Sequence, residues 1–313
     1  MKIVYLDSYP LEGVSLAPIA RLGDFTEYDD TPQGQAVERA RGADIVIVNK
    51  VKLMRPEVDA LPGLKLICVS ATGVNNVDVE YAASQGIPVK NVAGYSTHSV
   101  TEATFALALS LLRNIVYYDR YVKDGSYAAD GKTFHIGPPV SEIGGKIWGI
   151  IGLGTIGHRV AGIAEDFGAR VVFHSTSGNK REEKYPEKRL EELLRISDIV
   201  SIHAPLNERT RNLIGYEQLR FMKPTAILVN VARGGIIDEA ALARALDEQI
   251  IAGAGLDVFA QEPIETDNPL LKIKNPDKLV LAPHSAWTSR EAREALVEGV
   301  ARNIRDFIET TKG

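Results

Sequence analysis

Residues 147–157 read IWGIIGLGTIG, a short apolar run that passes directly into closely spaced glycines. A run of this length predicts a buried strand, and the apolar spacing from His158 onward predicts a helix. The glycines match G-x-G-x-x-G between strand and helix, the context in which this pattern holds the pyrophosphate of a dinucleotide. A plain strand-to-helix turn is the competing interpretation.

Each position of this glycine loop has a physical reason for its residue type. Gly152 permits the tight turn, Gly154 lets the pyrophosphate approach the backbone, and Gly157 lets the helix pack on the strand. A helix N-terminus supplies free N–H groups and a favourable dipole for phosphate. We therefore expect cofactor contacts from Gly152, Gly154, Thr155, Ile156 and Gly157.

Short apolar runs alternate with helical spacing along most of the chain, which predicts parallel sheets covered by helices. In the N-terminal third, strands are predicted at 2–6, 44–49, 64–70 and 88–91. Helices are predicted between them at 33–41 and 78–85. After Lys146, strands are predicted at 147–151, 170–173, 199–203, 226–230, 252–257 and 279–282.

The two strand series predict an α/β protein with two doubly wound parallel-sheet domains and a cleft between them. The first would be a flavodoxin-like substrate domain, built from residues 1–101 and 288–313. The second would be a Rossmann cofactor domain at 102–287. A long, largely apolar helix at 98–123 would join them, followed by irregular chain at 124–145.

Composition excludes several classes of protein. The net charge of −5 disfavours nonspecific binding to nucleic acid, which needs clustered Lys and Arg. No apolar stretch reaches the length of a membrane span, and the N-terminus does not resemble a signal peptide. We therefore expect a cytoplasmic protein with no membrane or nucleic-acid partner. The single cysteine, Cys68, is expected to pack as a buried strand residue, although a nucleophilic role is the alternative.

The strand predicted at 170–173 lacks the acidic residue that usually follows it. A carboxylate about 20 residues beyond the first glycine ordinarily holds the adenosine ribose hydroxyls. Here the chain continues with Ser175, Thr176 and Ser177, and then with Lys180 and Arg181. Nothing in this stretch repels a 2′-phosphate, so NADP should be accepted, and the preference between NAD and NADP stays open.

Three residues suited to carbonyl chemistry follow predicted strands of the second series: Arg233, Glu262 and His284. Arginine is always charged and binds carboxylates through a bidentate fork. Histidine exchanges a proton near neutral pH, and a neighbouring carboxylate stabilises its charged form. Ligands of open parallel sheets bind at the carboxyl ends of the strands. Each residue alone could be an ordinary polar residue of a surface loop, but together the three predict a reactive centre.

The segments around these residues resemble the signatures of the D-2-hydroxyacid dehydrogenase family. They are VNVARGGIID at 229–238, GLDVF at 255–259, QEP at 261–263 and APH at 282–284. The resemblance implies that Arg233 binds the substrate carboxylate and polarises the carbonyl. It also implies that His284 exchanges the proton, that Glu262 stabilises the imidazolium, and that Asp257 holds the nicotinamide carboxamide.

The resemblance extends to further candidate residues. Thr72 and Gly73 would receive the substrate carboxylate, although a simple turn is the alternative. Trp287 would close the substrate pocket, or it would only pack. The remaining expected cofactor contacts are Thr104, Ser175, Thr176, His203 and Ala232; for Thr104 the alternative is a hydroxyl bonded within its own helix. No metal is expected.

The stretches at 71–78, 94–97 and 284–293 are similar to those of glycerate dehydrogenases, also called hydroxypyruvate reductases. The resemblance implies an NAD(P)-dependent oxidoreductase for a small 2-oxo acid, hydroxypyruvate or glyoxylate, working as a homodimer. Three alternatives stay open: a D-lactate-type dehydrogenase, a formate-type dehydrogenase, and a noncatalytic corepressor-like module that senses NAD(H).

Overall fold

The computed structural model describes residues 1–178 and 184–311. The chain divides into two compact units. Unit 1 consists of residues 1–96 and 287–313, and unit 2 consists of residues 97–286.

The strands are short and mostly buried, as expected for parallel sheets covered on both faces. In chain order they are β1 Lys2–Tyr5, β2 Asp24–Glu27, β3 Ile45–Val48, β4 Leu66–Val69, β5 Val89–Asn91, β6 Ile147–Ile151, β7 Arg170–His174, β8 Ile199–Ile202, β9 Ile227–Asn230, β10 Gly253–Leu256 and β11 Leu279–Leu281. The α-helices are α1 Ala17–Ala20, α2 Ala36–Ala40, α3 Arg55–Asp59, α4 Val79–Ser84, α5 Thr97–Leu112, α6 Ile115–Lys123, α7 Ser126–Asp130, α8 Thr155–Asp166, α9 Leu190–Ile196, α10 Tyr216–Phe221, α11 Glu239–Asp247 and α12 Arg290–Thr310.

Unit 1 contains a parallel sheet in the order β2-β1-β3-β4-β5, the flavodoxin-like order. Successive residues of β1 face opposite sides of this sheet. Val4 packs with α2, α3 and α4 on one side, and Ile3 and Tyr5 pack with α1 and α12 on the other. Apolar residues on both faces explain why the sequence shows short apolar runs without alternation.

Unit 2 contains a parallel sheet in the order β11-β10-β9-β8-β6-β7. The direction of winding reverses between β6 and β8, which are neighbours although β7 lies between them in sequence. Ligands of such sheets bind outside the carboxyl ends of the strands at this reversal. The predicted fold class, two doubly wound parallel-sheet α/β domains, is confirmed.

The structure differs from the sequence prediction at several elements. Residues 126–130 form α7 inside the segment predicted as irregular chain, and α1 and α3 were not predicted, because helices of four or five residues are too short to show helical periodicity. The sequence analysis missed β2, an edge strand whose residues are exposed or half-buried and so form no apolar run. The helix after the glycine loop begins at Thr155 and not at His158. The long helix predicted at 98–123 is broken at Asn114, which adopts a left-handed conformation with φ of 49°; asparagine tolerates this region better than most residues.

Among the described residues, no single helix is long and apolar enough to cross a membrane. The helices α5 and α6 pass that test only as a pair, and the pair is bent by 62°. Within unit 2, Phe105 of α5 packs against Trp148 with ring centroids 4.8 Å apart.

In unit 1, the Cys68 thiol is buried, and burial raises its pKa to about 12, which argues against a nucleophilic role.

Candidate active site

The glycine loop joins β6 to α8 in a conformation that other residues would not reproduce. Gly152 has φ of 91°, and a Cβ on it would lie 2.8 Å from the backbone nitrogen of Ala204. A Cβ on Gly157 would overlap the Gly152 carbonyl, so the helix packs directly on the turn. Beside Gly154, in contrast, the space for a side chain is open. The first amides of α8, which begins at Thr155, have no partner within the helix.

A cleft of about 190 Å³ lies next to this loop, at the carboxyl ends of β6, β7 and β8. We call it the β6–β8 cleft. Its lining residues come from β7, from the three segments that follow these strands and from the segment that pairs with β7: Gly152, Leu153, Gly154, Phe173, Ser175, Thr176, Ser177, Glu187, His203 and Pro205. The open space at Gly154, the helix amides and the position at the winding reversal together fit a dinucleotide pyrophosphate.

Ser175 and Thr176 line this cleft, where the sequence analysis placed them. The Ser175 and Ser177 hydroxyls lie 3.2 Å apart. Lys180 and Arg181 lie outside the described residues. A cation that the sequence analysis missed stands nearby: Arg209 Nη1 donates a hydrogen bond of 2.9 Å to the Ser177 carbonyl.

Glu187 is a second residue that the sequence analysis missed. It lies in the segment that pairs with β7 opposite Phe173, and it lines the β6–β8 cleft. It is 35 residues beyond Gly152, much later than the position where the acidic residue is normally sought. Only the pairing of this segment with β7 brings it to the cleft.

His203 lines the cleft at the end of β8 and is held from behind by a buried hydrogen-bond chain. Trp148 Nε1 donates to Ser201 Oγ at 2.8 Å, and Ser201 Oγ lies 2.9 Å from His203 Nε2. Within the described part of the chain, Nδ1 of His203 is buried and has no hydrogen-bond partner. Burial lowers the pKa of His203 to about 3, so the ring is neutral at physiological pH.

His284, Glu262 and Asp257 form a hydrogen-bonded group at the ends of β10 and β11. Nδ1 of His284 lies 2.7 Å from Oε2 of Glu262, and these side chains are 25% and 30% exposed. The other carboxylate oxygen, Oε1, accepts from Phe259 N at 3.2 Å. The His284 amide donates to the Asp257 carbonyl at 2.7 Å, and His284 has φ of 54°. The imidazole is therefore fixed at one nitrogen by a carboxylate.

The Asp257 carboxylate is buried and holds the segment that follows His284. It accepts hydrogen bonds from the amides of Ser285 and Ala286 at 2.8 and 3.0 Å. Burial raises the pKa of Asp257, and these amide bonds act in the opposite direction. The structure therefore gives Asp257 a clear role in shaping the loop, and its predicted contact with the nicotinamide carboxamide stays a prediction.

Arg233 follows β9, the strand next to β10, and its guanidinium donates to the Ala232 carbonyl at 2.7 Å. Asn230 anchors this turn, because its side chain donates to the Arg233 carbonyl and accepts from the Ala232 amide. A Cβ at Gly234 would overlap the Phe259 carbonyl, so the turn packs against the segment that carries Glu262. Three adjacent strands thus present Arg233, Glu262 and His284 at the same edge of the sheet.

The remaining predicted site residues are placed as follows. The Thr104 hydroxyl is buried in α5 and donates to the Val100 carbonyl at 2.8 Å, as the alternative interpretation required. Thr72 and Gly73 lie in unit 1, where the Thr72 hydroxyl donates to the Val92 carbonyl. Trp287 also lies in unit 1 and packs edge-to-face on Tyr95, with ring centroids 6.1 Å apart. Contacts of these residues with a ligand stay predictions.

Arg233, Glu262 and His284 of unit 2 support acid–base chemistry on an anionic substrate. A carboxylate-bound imidazole can exchange a proton, and an arginine at the same sheet edge can bind a carboxylate. Across residues 1–178 and 184–311, no group of three or more His, Cys, Asp or Glu side chains could hold a metal ion.

Comparison with known proteins agrees with this arrangement. Residues 105–286 match the NAD-binding domain of the D-isomer specific 2-hydroxyacid dehydrogenases. The chain is 38% identical to a glycerate dehydrogenase of Methylorubrum extorquens, over 98% of this chain and 96% of the relative. It is 41% identical to a glyoxylate reductase of Korarchaeum cryptofilum, over 89% and 84%. The crystal structure of the TT0316 protein from Thermus thermophilus superposes with a TM-score of 0.89 at 32% identity, covering 99% of this chain and 97% of that one.

Proposed function

Because the chain belongs to the D-isomer specific 2-hydroxyacid dehydrogenase family, we propose that it is a hydroxypyruvate and glyoxylate reductase that also oxidises D-glycerate. Membership makes it an oxidoreductase that acts on CH–OH groups with NAD or NADP. The observation that supports the proposal most strongly is the His284–Glu262 hydrogen bond of 2.7 Å at the same sheet edge as Arg233. The names of the relatives from Methylorubrum and Korarchaeum favour these two small substrates.

In the proposed mechanism Arg233 binds the 2-oxo acid through its carboxylate and polarises the carbonyl. A guanidinium suits this task because its fork matches a carboxylate and its charge does not titrate. A bound nicotinamide supplies or accepts the hydride. His284 Nε2 donates a proton to the carbonyl oxygen during reduction and takes it back during oxidation. The Glu262 carboxylate holds Nδ1 and stabilises the imidazolium form.

The β6–β8 cleft would hold the dinucleotide in this proposal. Amides at the start of α8 would bind the pyrophosphate, and Gly154 would leave room for it. Unit 2 is then the cofactor domain, and unit 1, with Thr72, Gly73 and Trp287, is the substrate domain. The domain limits expected from the sequence, 102–287 for the cofactor domain and 1–101 with 288–313 for the substrate domain, stay a prediction.

A panel of steady-state assays tests the proposed substrates. The purified protein is given hydroxypyruvate, glyoxylate, pyruvate or a bulky aromatic 2-oxo acid, each with NADH and with NADPH. We expect the highest kcat/KM with hydroxypyruvate or glyoxylate. Higher values with pyruvate would instead favour a D-lactate-type enzyme. Nucleotide binding without turnover of any 2-oxo acid would favour a noncatalytic sensor.

We also propose that the protein is a homodimer, joined through the segment 113–142 of unit 2. This segment exposes large apolar side chains that a monomer would leave in water, among them Phe134 and Ile136, which are 81% and 95% exposed. Further exposed apolar residues are Ile115, Val116, Val122, Tyr127 and Val140. Several large apolar side chains exposed within one segment are a feature of interaction surfaces. The expected location is the cytoplasm.

Light scattering tests the dimer. The wild-type protein should have twice the mass of one chain, and the double substitution Phe134→Ser with Ile136→Ser should shift the equilibrium toward monomer at low micromolar concentration. Leu271→Ser, at an apolar residue that is 50% exposed elsewhere in unit 2, is the matched control and should leave the mass unchanged. A monomeric wild-type protein would contradict the proposal.

A further inference from the structure

We propose that Arg209, with the hydroxyls of Ser175, Thr176 and Ser177, forms a binding site for the 2′-phosphate of NADP, and that the chain therefore prefers NADPH to NADH. The inference rests on the proposed function in one respect, because it requires the adenosine end of a dinucleotide to occupy the β6–β8 cleft. It assigns the cofactor preference to a residue that lies far along the chain from the strand end where such preference is usually encoded.

Arg209 lines a second pocket, which shares two lining residues with the cleft. The pocket has a volume of about 340 Å³ and is lined by Thr176, Ser177, Asn207, Glu208 and Arg209. Thr176 and Ser177 line both this pocket and the cleft. A ribose next to the β7 end would therefore lie beside residues that are shared by the two cavities.

The hydrogen bond from Arg209 Nη1 to the Ser177 carbonyl, at 2.9 Å, holds the guanidinium beside the serine-rich turn. Asn207 shapes the loop that carries Arg209, because its side-chain oxygen accepts from the Arg209 amide at 2.9 Å. A guanidinium has five N–H donors in a planar fork, so the bond to Ser177 leaves donors for a phosphate. This fork can bind a phosphate through two parallel hydrogen bonds, and neighbouring hydroxyls can donate to the remaining phosphate oxygens.

Two carboxylates lie in the same region and define the competing arrangement. Glu208 lines the pocket next to Arg209, and Glu187 lines the cleft. If Glu187 bound the ribose hydroxyls, the chain would prefer NADH, as in sites with an acidic residue at this position. The pairing of Glu187 with Phe173 places it beside β7 itself, whereas Ser175 to Ser177 and Arg209 lie beyond the end of that strand. The geometry therefore points to the serine turn as the contact of the 2′ position.

Direct binding measurements separate these arrangements without relying on turnover. Dissociation constants of NADPH and NADH are measured by nucleotide fluorescence, and those of adenosine 2′,5′-bisphosphate and 5′-AMP by calorimetry. The variants are Arg209→Gln, Arg209→Lys and Glu187→Gln. Arg195→Gln is the control, because Arg195 is an exposed arginine of the same unit that pairs with Glu191 and lines neither cavity.

The wild-type protein should bind NADPH at least about tenfold more tightly than NADH. Arg209→Gln should lower the ratio of the two affinities by about 10- to 100-fold, the usual effect of losing a charge-assisted hydrogen bond to phosphate. Arg209→Lys should lower it less, and Arg195→Gln and Glu187→Gln should leave a preference for NADPH. The bisphosphate and 5′-AMP should show the same pattern.

Three results would overturn the inference. The affinities for both nucleotides could stay unchanged in Arg209→Gln, which would mean that Arg209 contacts neither. Both affinities could also fall by the same factor, which would mean that Arg209 only holds the loop. A wild-type preference for NADH that Glu187→Gln abolishes would assign the ribose to Glu187. Failure of the proposed function looks different: the preference and its loss in Arg209→Gln would be present, but no 2-oxo acid would be reduced. Absence of binding by either nucleotide would overturn both.

Discussion

Replacement of Glu262 by glutamine isolates the contribution of the carboxylate behind His284. Glutamine has one acceptor oxygen, whereas Glu262 accepts from both His284 Nδ1 at 2.7 Å and the Phe259 amide at 3.2 Å. A charge-assisted hydrogen bond contributes about 1.5–3 kcal/mol. Because the two side chains are 25% and 30% exposed, we take the lower half of this range, which corresponds to a fall in kcat/KM of about 10- to 50-fold.

The assay is the reduction of hydroxypyruvate across a range of pH. The deficit of Glu262→Gln should shrink as the pH falls, because more of the imidazole is then protonated without help from the carboxylate. Nucleotide affinity should stay close to the wild-type value, since a general defect in folding would weaken it. Glu265→Gln, at an exposed position three residues further along the same loop, is the matched control. Activity of Glu262→Gln within about twofold of wild type at every pH would refute the reasoning.

Two further perturbations test other parts of the site. Arg233→Lys replaces a bidentate fork by a point charge, so kcat/KM for hydroxypyruvate should fall by about 100-fold or more. Arg220→Lys, at an exposed position, is the control and should have no effect on kcat/KM. A loss below about threefold in Arg233→Lys would contradict the role assigned to Arg233. His203→Asn should make unit 2 more resistant to acid, because burial lowers the pKa of His203 to about 3 and the unfolded chain therefore binds more protons below about pH 6.5. As the pH falls from about 7.5 to about 5, His203 should lower the free energy of unfolding by about 2 kcal/mol. Urea denaturation measures this loss, and His158→Asn, at an exposed position, is the control. Equal acid sensitivity of the two variants would contradict the burial of His203.

The sequence predicts most of the fold because its determinants are local. The run at β6 and the glycines that follow it specify a strand, a tight turn and a helix within 20 residues. Burial of both sheet faces makes most strands visible as apolar runs. The same argument explains why the sequence analysis missed β2. It is an edge strand whose residues are exposed or half-buried, so it carries no apolar run. The break at Asn114 depends on one left-handed residue, and hydrophobic spacing does not report it.

The sequence predicts the positions of candidate residues in the loops that follow strands, and it does not predict positions that depend on tertiary contacts. Arg233, Glu262 and His284 follow neighbouring strands, so their proximity follows from sheet order. Arg209 reaches Ser177 across 32 positions of the chain, and Glu187 reaches the cleft only through its pairing beside β7. No spacing rule in the sequence indicates either contact. The sequence alone therefore leaves the preference between NAD and NADP open, and in our proposal that preference depends on these two residues.

The most direct test of the central claim is the rate of hydroxypyruvate reduction by His284→Gln. The rate is compared with that of the wild-type protein from about pH 6 to about pH 8, with nucleotide affinity measured in parallel. We predict a fall in kcat of about 100- to 10,000-fold at every pH, the range expected for loss of a general acid, with nucleotide affinity retained. An undiminished rate across this range would contradict the assignment of His284 as the proton donor.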